Sequence, residues 1–305
     1  TLSLHDALPI LDAVNISTQQ ELILKERKAN NAWNKIKRNK TAMIGLFIVA
    51  LVTVTAILAP VIATHDPNFM DVTAAYLKPG TSGHILGTDE FGRDLFSRIV
   101  YGSKISIIVA IGGMLVGGSI GILLGLISGY KGGIVDSIIM RLMDGMFAFP
   151  FMLLALVLMT VLGDGIHNVI IAIGIANIPG FARVARGQVH IIKNEEYTHA
   201  VRALGASNST ILFKHILPNC ISPIIVYGTL NVAGAIISEA ALSFLGLGIQ
   251  PPTASWGNIL RAGKDVLLTA PHIAMFSGLA IMITVLGFNL FGDGLRDALD
   301  PRLKK

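Results

Sequence analysis

The chain has 305 residues, of which 52% are hydrophobic and only 14% are charged, with a formal net charge of +5. A typical soluble domain carries about 25% charged residues, so this composition argues against a soluble enzyme and for a membrane protein. The single Cys excludes a disulfide within the chain and any zinc or iron–sulfur site built from several thiolates.

The chain begins with a polar, charged stretch, residues 1–40, which we expect to be a cytoplasmic tail. No secretory signal precedes the first apolar run, and that run is too long to be a cleaved signal core. Residues 1–10 match poorly with the rest of the tail, so we interpret them as a non-native segment and exclude them from the fold prediction.

Six apolar stretches come after the tail, each near the roughly 20 residues that a helix needs to cross a bilayer. They predict an all-α membrane protein with six transmembrane helices. The predicted bounds are 41–63, 105–130, 142–163, 165–182, 215–245 and 266–292. The boundary between the third and fourth spans is the least sharply defined.

The Lys and Arg residues outside the spans predict the orientation, because cytoplasmic segments carry an excess of positive charge. Of the 24 Lys and Arg residues, 18 fall in the two terminal segments and in the second-to-third and fourth-to-fifth connections, and 6 fall in the other connections. Both termini are therefore expected in the cytoplasm, with residues 294–305 as the C-terminal tail. The longer outer loops are 64–103 and 248–265, and the main transmembrane domain is predicted over 104–293.

Glycines recur every four residues along the second span, which places them in one slowly winding stripe on the helix surface. A stripe without side chains lets a second helix backbone approach closely. Packing within one subunit is the favoured interpretation, and packing at a moving interface is the alternative. The stripe consists of Gly113, Gly117, Gly121, Gly125 and Gly129.

Two carboxylates are candidates for residues of a transport path, because a carboxylate is costly to bury in a membrane. Glu239 lies late in the fifth span, at a predicted outer end that water can reach. Asp144 lies near the start of the third span, three residues after Arg141, and the two side chains are expected to pair on one helix face. Few other titratable groups approach the midplane, which weakens the hypothesis of an ion-coupled secondary transporter.

An intramembrane enzyme is the competing class, and the sequence offers one motif for it. Residues 117–121 match the G-x-S-x-G nucleophile pattern, but they lie inside a predicted span without a His or acid partner. The chain also carries no H-E-x-x-H and no G-x-x-x-x-G-K-[ST] motif. A transport or channel subunit with no ATP site of its own is therefore the favoured prediction.

The cytoplasmic loop 183–217 is predicted to contain two short helices. The first runs from Glu195 to Leu204 and has an apolar face, Gly205 then breaks it, and Ser207 offers a cap for the second helix. Leu217 and Pro218 are expected to close that second helix. Such a unit is suited to dock into a groove of a partner protein, and an amphipathic loop lying on the membrane surface is the alternative.

This loop resembles the E-A-A loop of ATP-binding-cassette importer permeases. The family pattern is E-A-A, three residues, Gly, nine residues, then I-x-L-P, and this sequence matches it at Ala200, Gly205, Leu217 and Pro218. It differs at His199, Val201 and His215, where the family has Glu, Ala and Ile. The resemblance implies that this loop couples the permease to an ATPase. The residues assigned to that role are Glu196, His199, Ala200, Val201, Arg202, Gly205, Ala206, His215, Leu217 and Pro218.

Three further stretches resemble the dipeptide, oligopeptide and nickel permeases, and they indicate the C-type permease subunit of that subfamily. Residues 84–98 are similar to its H-x-L-G-T-D-x-x-G-R-D-x-x-S-R segment, residues 241–256 to the segment after its fifth span, and residues 288–302 to its C-terminus. The first stretch precedes the second span and can form either a charged lid on the outer mouth or a capped entry to the helix. Its candidate site residues are Gly87, Asp89, Gly92, Arg93 and Asp94.

The resemblance implies a bacterial plasma-membrane protein with the fold of a type I importer transmembrane domain. It also implies a second permease subunit, two cytoplasmic ATPase subunits and an extracytoplasmic solute-binding protein as partners. ATP and Mg²⁺ would then bind the ATPase subunits, and this chain would hold no cofactor or metal and contact no nucleic acid. No cluster of His or Cys points to metal in the path, so peptides are the favoured substrates over nickel or another small solute.

Overall fold

The computed structural model describes residues 32–299, and within that range the chain consists of helices and connecting loops. The first part of the predicted N-terminal tail, including the stretch 1–10, lies outside the described residues. Residues 300–305 of the predicted C-terminal tail also lie outside them.

Three helices begin the described chain: α1 (Ala32–Arg38), α2 (Lys40–Ile57) and α3 (Ala59–Ile62). Asn39 caps α2, because its side-chain oxygen accepts hydrogen bonds from the backbone N–H groups two and three residues later. Pro60 lies in the first turn of α3, where a helix does not need the missing N–H. The first predicted span is thus one long helix followed by a short one.

The second predicted span is a single helix of 37 residues, α4 (Leu95–Lys131). It begins at Leu95 rather than at residue 105, because the carboxylate of Asp94 accepts a hydrogen bond from the N–H of Ser97 and caps the helix there. The predicted span began at residue 105 because Lys104 ends the uncharged stretch, but a helix can continue through charged residues. Gly132, with a φ of +67°, ends α4.

The third predicted span, 142–163, is divided into two helices that are bent by 90° relative to each other. They are α5 (Gly133–Phe147) and α6 (Phe151–Leu162). Pro150 lies at the bend in an extended conformation, and proline has no N–H with which to continue the preceding helix. A hydropathy pattern does not register this break, because both halves are apolar.

The fourth predicted span is longer than the sequence indicated, since α7 runs over Ile166–Lys193 and passes through Pro179. Residues 183–193, which the sequence assigned to the start of the cytoplasmic loop, are therefore helical. Arg183 and Arg186 do not end the helix, because both side chains find carboxylate partners on α5.

The cytoplasmic connection contains α8 (Glu196–Ala203), and α9 then runs over Asn208–Phe244 as one long helix. Leu217 and Pro218 do not close a separate helix, contrary to the prediction. A π-helical segment, Ile211–Ile216, precedes them, and the N–H of Leu217 donates to the carbonyl of Leu212. A proline ring normally clashes with the carbonyl four residues earlier. The wider turn of the π-helix accommodates it here.

The predicted outer loop 248–265 contains a helix, α10 (Trp256–Asp265), and the last span is α11 (Pro271–Leu299). The indole N–H of Trp256 donates to the carbonyl of Ile99, at 2.9 Å, which ties α10 to the outer end of α4.

The centre of the fold is the long contact of α4 with α7, and α11 joins α2, α9 and α10 around it. Five helices, α2, α4, α7, α9 and α11, are long and apolar enough to cross a membrane, and the bent pair α5–α6 makes six if it is one span. The described chain thus has the predicted all-α membrane architecture. The number of spans is six only if the bent pair that replaces the third predicted helix counts as one span.

Candidate functional site

The hairpin, which we define as residues 194–217 and which the sequence predicts to be cytoplasmic, is the first candidate site. Gly205 lies at its turn with a φ of +82°, a conformation that residues with a side chain rarely adopt. Ser207 then caps the start of α9 by accepting a hydrogen bond from the N–H of Thr210. The predicted helix–glycine–helix order is present, and the glycine conformation is what allows the chain to reverse there.

The hairpin is held against the transmembrane helices by specific polar contacts. The hydroxyl of Thr198, which is fully buried, donates to the carbonyl of Ile192 at 2.9 Å. The hydroxyl of Tyr130, at the end of α4, donates to the side chain of Asn208 at 2.7 Å. Lys193, the last residue of α7, donates to the carbonyl of Tyr130 at 2.9 Å and joins α7 to α4 beside the hairpin. The hairpin is thus in contact with both helices.

The large apolar residues in and just after α8 do not all face the same way: one packs against the core and two are exposed. Val201 packs against the core, whereas Leu204 is 87% exposed and Tyr197 is 41% exposed. The sequence pattern placed these residues on one face and did not identify Thr198 as the buried anchor. Because of its exposure, Leu204 makes few contacts within the described chain.

The other predicted hairpin residues divide into exposed and inward-facing groups. Ala206 and Leu217 pack against the core, and His215 is partly buried. The exposed group comprises Glu196, His199, Ala200, Arg202 and Pro218.

Two ion pairs connect α5 to α7 near the hairpin. The guanidinium of Arg186 donates two hydrogen bonds to the carboxylate of Asp136, at 2.6 and 2.7 Å. Arg183 pairs with Asp144 at 2.7 Å, and both of these side chains are about half exposed. The predicted pairing of Asp144 with Arg141 is wrong, because α7 presents a better-placed guanidinium than the neighbouring turn of α5 does. Asp144 is therefore a paired surface carboxylate in this chain.

Glu239 is fully buried, which contradicts the expectation that water reaches it at the outer end of its span. Its carboxylate accepts hydrogen bonds from the hydroxyls of Ser106, at 2.9 Å, and Ser243, at 3.0 Å. Both serines are themselves fully buried. Glu239 thus connects α9 to α4, and within the described chain it faces a protein interior rather than an open path.

The glycine stripe lies along α7 within the same chain. A methyl group added at Gly121 would lie 2.6 Å from the carbonyl oxygen of Ile178, and one at Gly117 would lie 2.5 Å from that of Gly174. Added methyl groups at the other three positions would also be too close to α7. The stripe comprises Gly113, Gly117, Gly121, Gly125 and Gly129. Its close backbone contact explains why glycine is needed at these positions.

The outer segment, residues 84–94, forms a turn whose last residue, Asp94, caps α4. Gly87 and Gly92 have φ values of +82° and +73°, and a side chain at either would collide with backbone atoms. The carboxylate of Asp89 accepts a hydrogen bond from the Nε of Arg93 at 2.6 Å, and both side chains are buried. The Nε of Arg98 lies 3.4 Å from the same carboxylate.

Asp94 is the most constrained carboxylate of the outer segment. Burial acts to raise its pKa, but hydrogen bonds from the hydroxyl and N–H of Ser97 and from His84 outweigh burial and hold the pKa below its usual value. The nearby Glu90 has a raised pKa because of its burial. The two carboxylates thus differ in how strongly their surroundings stabilise the charged form.

Two family profiles match the chain. One, described as "Binding-protein-dependent transport system inner membrane component", matches residues 121–305. The other, described as "N-terminal TM domain of oligopeptide transport permease C", matches residues 29–79.

Several curated proteins are similar over most of their length. The glutathione transport system permease protein GsiD of Pectobacterium atrosepticum is 42% identical over 288 residues, covering 92% of this chain and 95% of that protein. The proteins of the same name from Escherichia coli and Shigella sonnei are each 46% identical over 273 residues, covering 89% of this chain and 90% of each relative.

One solved structure has a similar fold. It is titled "Crystal structure of an amino acid ABC transporter with histidines", and it matches with a TM-score of 0.51 and 13% sequence identity. The match covers 65% of this chain and 92% of the other. At this identity the likeness concerns the fold, which is that of a permease in an ATP-binding-cassette transporter.

Proposed function

Because this chain belongs to the family of binding-protein-dependent transport system inner membrane components, we propose that it forms one half of the translocation path of an importer for glutathione or similar short peptides. It is a multi-pass transport subunit of the bacterial inner membrane and not an enzyme. An importer permease of this family works with ATPase and solute-binding partners.

The observation that supports the substrate most strongly is the 46% identity, over 90% of their length, with permeases named for glutathione transport. Glutathione is a short peptide, which agrees with the peptide class favoured by the sequence. The finer composition of the complex is also part of this proposal: one related second permease, two ATPase subunits and one binding protein. ATP and Mg²⁺ would bind the ATPase subunits, and this chain would hold no cofactor.

The hairpin provides a physical route for coupling. Its exposed tip at Leu204 is available to a partner, while Thr198 and the contacts of Tyr130 connect its base to α7 and α4. Closure of the ATPase pair would move the hairpin, and the packed helices would follow as rigid bodies.

The proposal is tested by uptake into proteoliposomes that contain the chain with its partner permease, ATPases and binding protein. We expect ATP-dependent uptake of labelled glutathione, with short peptides as competitors. Uptake of Ni²⁺ but not of glutathione would show that the substrate is nickel and not a peptide. Uptake driven by an ion gradient without ATP would contradict the importer function as a whole.

Docking is tested separately by Leu204→Ser, which removes the exposed apolar tip of the hairpin. We expect weaker co-purification of the ATPase subunits and unchanged thermal stability of the chain, because Leu204 has few contacts to lose. The matched control is Leu268→Ser, since Leu268 is 100% exposed but lies in the loop before α11, on the predicted outer side. Equal ATPase recovery from both variants would argue against docking through Leu204.

A further inference from the structure

Three side chains with metal-ligating atoms converge at the outer end of α4. His65 follows α3, His84 begins the outer segment, and Asp94 caps α4. Each offers one ligand atom, and the three atoms all lie within 4.8 Å of one another. His84 and Asp94 lie at the two ends of the outer segment, and the fold brings His65, from the chain after α3, next to them.

Two of the distances between these atoms lie near the spacing of neighbouring ligands around a metal ion. The Nδ1 of His84 lies 2.8 Å from the Oδ1 of Asp94, and the Nδ1 of His65 lies 3.7 Å from the same oxygen. In a tetrahedral site with bonds of about 2.0–2.1 Å, neighbouring ligand atoms are about 3.3 Å apart, and the two distances lie on either side of that value. The two imidazole rings stack with centroids 4.6 Å apart, and the Nδ1 of His65 also lies 3.0 Å from the hydroxyl of Thr64.

The buried carboxylate of the cluster is a favourable ligand for a cation. The side chain of Asp94 is fully buried, and its ion-pair partners among the described residues are only the two histidines. A buried carboxylate is stabilised by a paired cation or a metal. A divalent ion bound between the two imidazoles and the carboxylate would supply that charge.

A second set of contacts orients the carboxylate. The Oδ2 of Asp94 accepts hydrogen bonds from the N–H and hydroxyl of Ser97, at 2.8 and 2.7 Å, and from the hydroxyl of Thr64 at 3.2 Å. These bonds leave Oδ1 directed at the histidines. Such partners of a ligating carboxylate fix its orientation and raise metal affinity.

We propose that His65, His84 and Asp94 bind a divalent transition-metal ion, in a site with two nitrogen ligands and one oxygen ligand. Imidazole with one carboxylate suits Zn²⁺ and its neighbours in the first row rather than Mg²⁺ or Ca²⁺. The ion would fasten the chain after α3 and the outer segment to the N-terminus of α4. The proposal does not depend on which substrate is transported, because it rests on residues of the outer connection and of the start of α4.

The test uses the full chain, purified in detergent with a tag that contains no histidine and dialysed against ZnCl₂. Bound zinc is measured by mass spectrometry for the wild type, for His65→Gln and for His167→Gln. His167 is a histidine at the start of α7 and outside the cluster, so its variant is the matched control. We expect the wild type and His167→Gln to bind one Zn²⁺ per chain more tightly than His65→Gln does. Equal binding by all three proteins would overturn the proposal.

A second measurement separates a built site from loose surface binding. Co²⁺ in a tetrahedral site gives strong visible absorption, which we expect in the wild type and not in His65→Gln. Thr64→Val, which removes a hydrogen bond to Asp94, should weaken affinity by about 10- to 100-fold. Its side chain has nearly the same shape, and equal helicity and elution volume would show that the fold is retained. Absent absorption in the wild type, or unchanged affinity in Thr64→Val, would count against the site.

Discussion

Single glycines in α4 allow this helix to pack closely against α7. At Gly121, an added side chain would meet both the carbonyl oxygen of Ile178, at 2.6 Å, and the Cβ of Phe181, at 2.7 Å. Backbone atoms of a packed helix cannot move aside as a flexible side chain can, so the two helix axes would have to separate.

Gly121→Ala should therefore lower the thermal unfolding temperature of the detergent-solubilised chain. Overpacking of a well-packed interior costs about 1–3 kcal/mol. The control is Gly187→Ala on α7, where an added methyl group meets nothing within 4 Å. There we expect no loss of stability, since alanine is the better helix former. Equal stability of both variants would show that α4 and α7 can separate enough to accommodate the methyl group without a loss of stability.

Gly205 carries a different constraint, because its φ is +82° while the space around it is open. Gly205→Val should loosen the hairpin, since a β-branched residue in the left-handed region costs about 1–2 kcal/mol. Gly205→Asn should be milder, because asparagine adopts this region more readily. Hydrogen exchange of residues 196–210 measures the loosening, and ATP-coupled uptake measures its consequence. If both variants exchange like the wild type, backbone strain does not determine the role of Gly205.

Between elements, the two α5–α7 ion pairs differ in how much they are expected to stabilise the fold. The pair of Asp136 with Arg186 is bidentate and partly buried, and Asp136 also accepts a hydrogen bond from Ser128. The pair of Asp144 with Arg183 has one hydrogen bond and is about half exposed on both sides. Solvent screens the second pair more effectively.

Asp136→Asn should lower the free energy of unfolding by about 1–2 kcal/mol, because it removes the charge from a bidentate, partly buried pair. Asp144→Asn should lower it by about 1 kcal/mol or less. Thermal unfolding of the two variants under the same detergent conditions makes the comparison. A larger effect at Asp144 would mean that α5 is positioned through the exposed pair instead.

For the whole molecule, the outward surface of the long helices is strongly apolar. Examples are Phe47 on α2, which is 66% exposed, Leu115 on α4, which is 67% exposed, and Val161 on α6, which is 80% exposed. Such surfaces are covered by lipid or by a neighbouring subunit in a membrane protein. The distribution of Lys and Arg predicts the orientation of these helices in the bilayer.

The orientation is tested by labelling single cysteines in a Cys220→Ala background. Ser209→Cys, in the hairpin, should react with an impermeant thiol reagent only after the membrane is opened. Lys78→Cys, in the first outer loop, should react in intact spheroplasts. Both native side chains are exposed and the native Cys220 is buried, so the two positions differ in side of the membrane and not in accessibility. Labelling of Ser209→Cys from outside in intact spheroplasts would show that the orientation is the reverse of the predicted one.

The sequence by itself determined the membrane class, the six apolar stretches, the helix–glycine–helix hairpin and the permease family. These depend on local hydropathy, on a glycine at a turn and on motif spacing, all of which lie along the chain. Only the tertiary structure decided that Asp144 pairs with Arg183 and not with Arg141, and that Glu239 is buried between two serines. It also decided that Pro218 lies within a continuous helix and that His65 meets His84 and Asp94. The physical reason is the same in each case: a side chain's partner depends on which helices lie side by side, and no local pattern in the sequence records that.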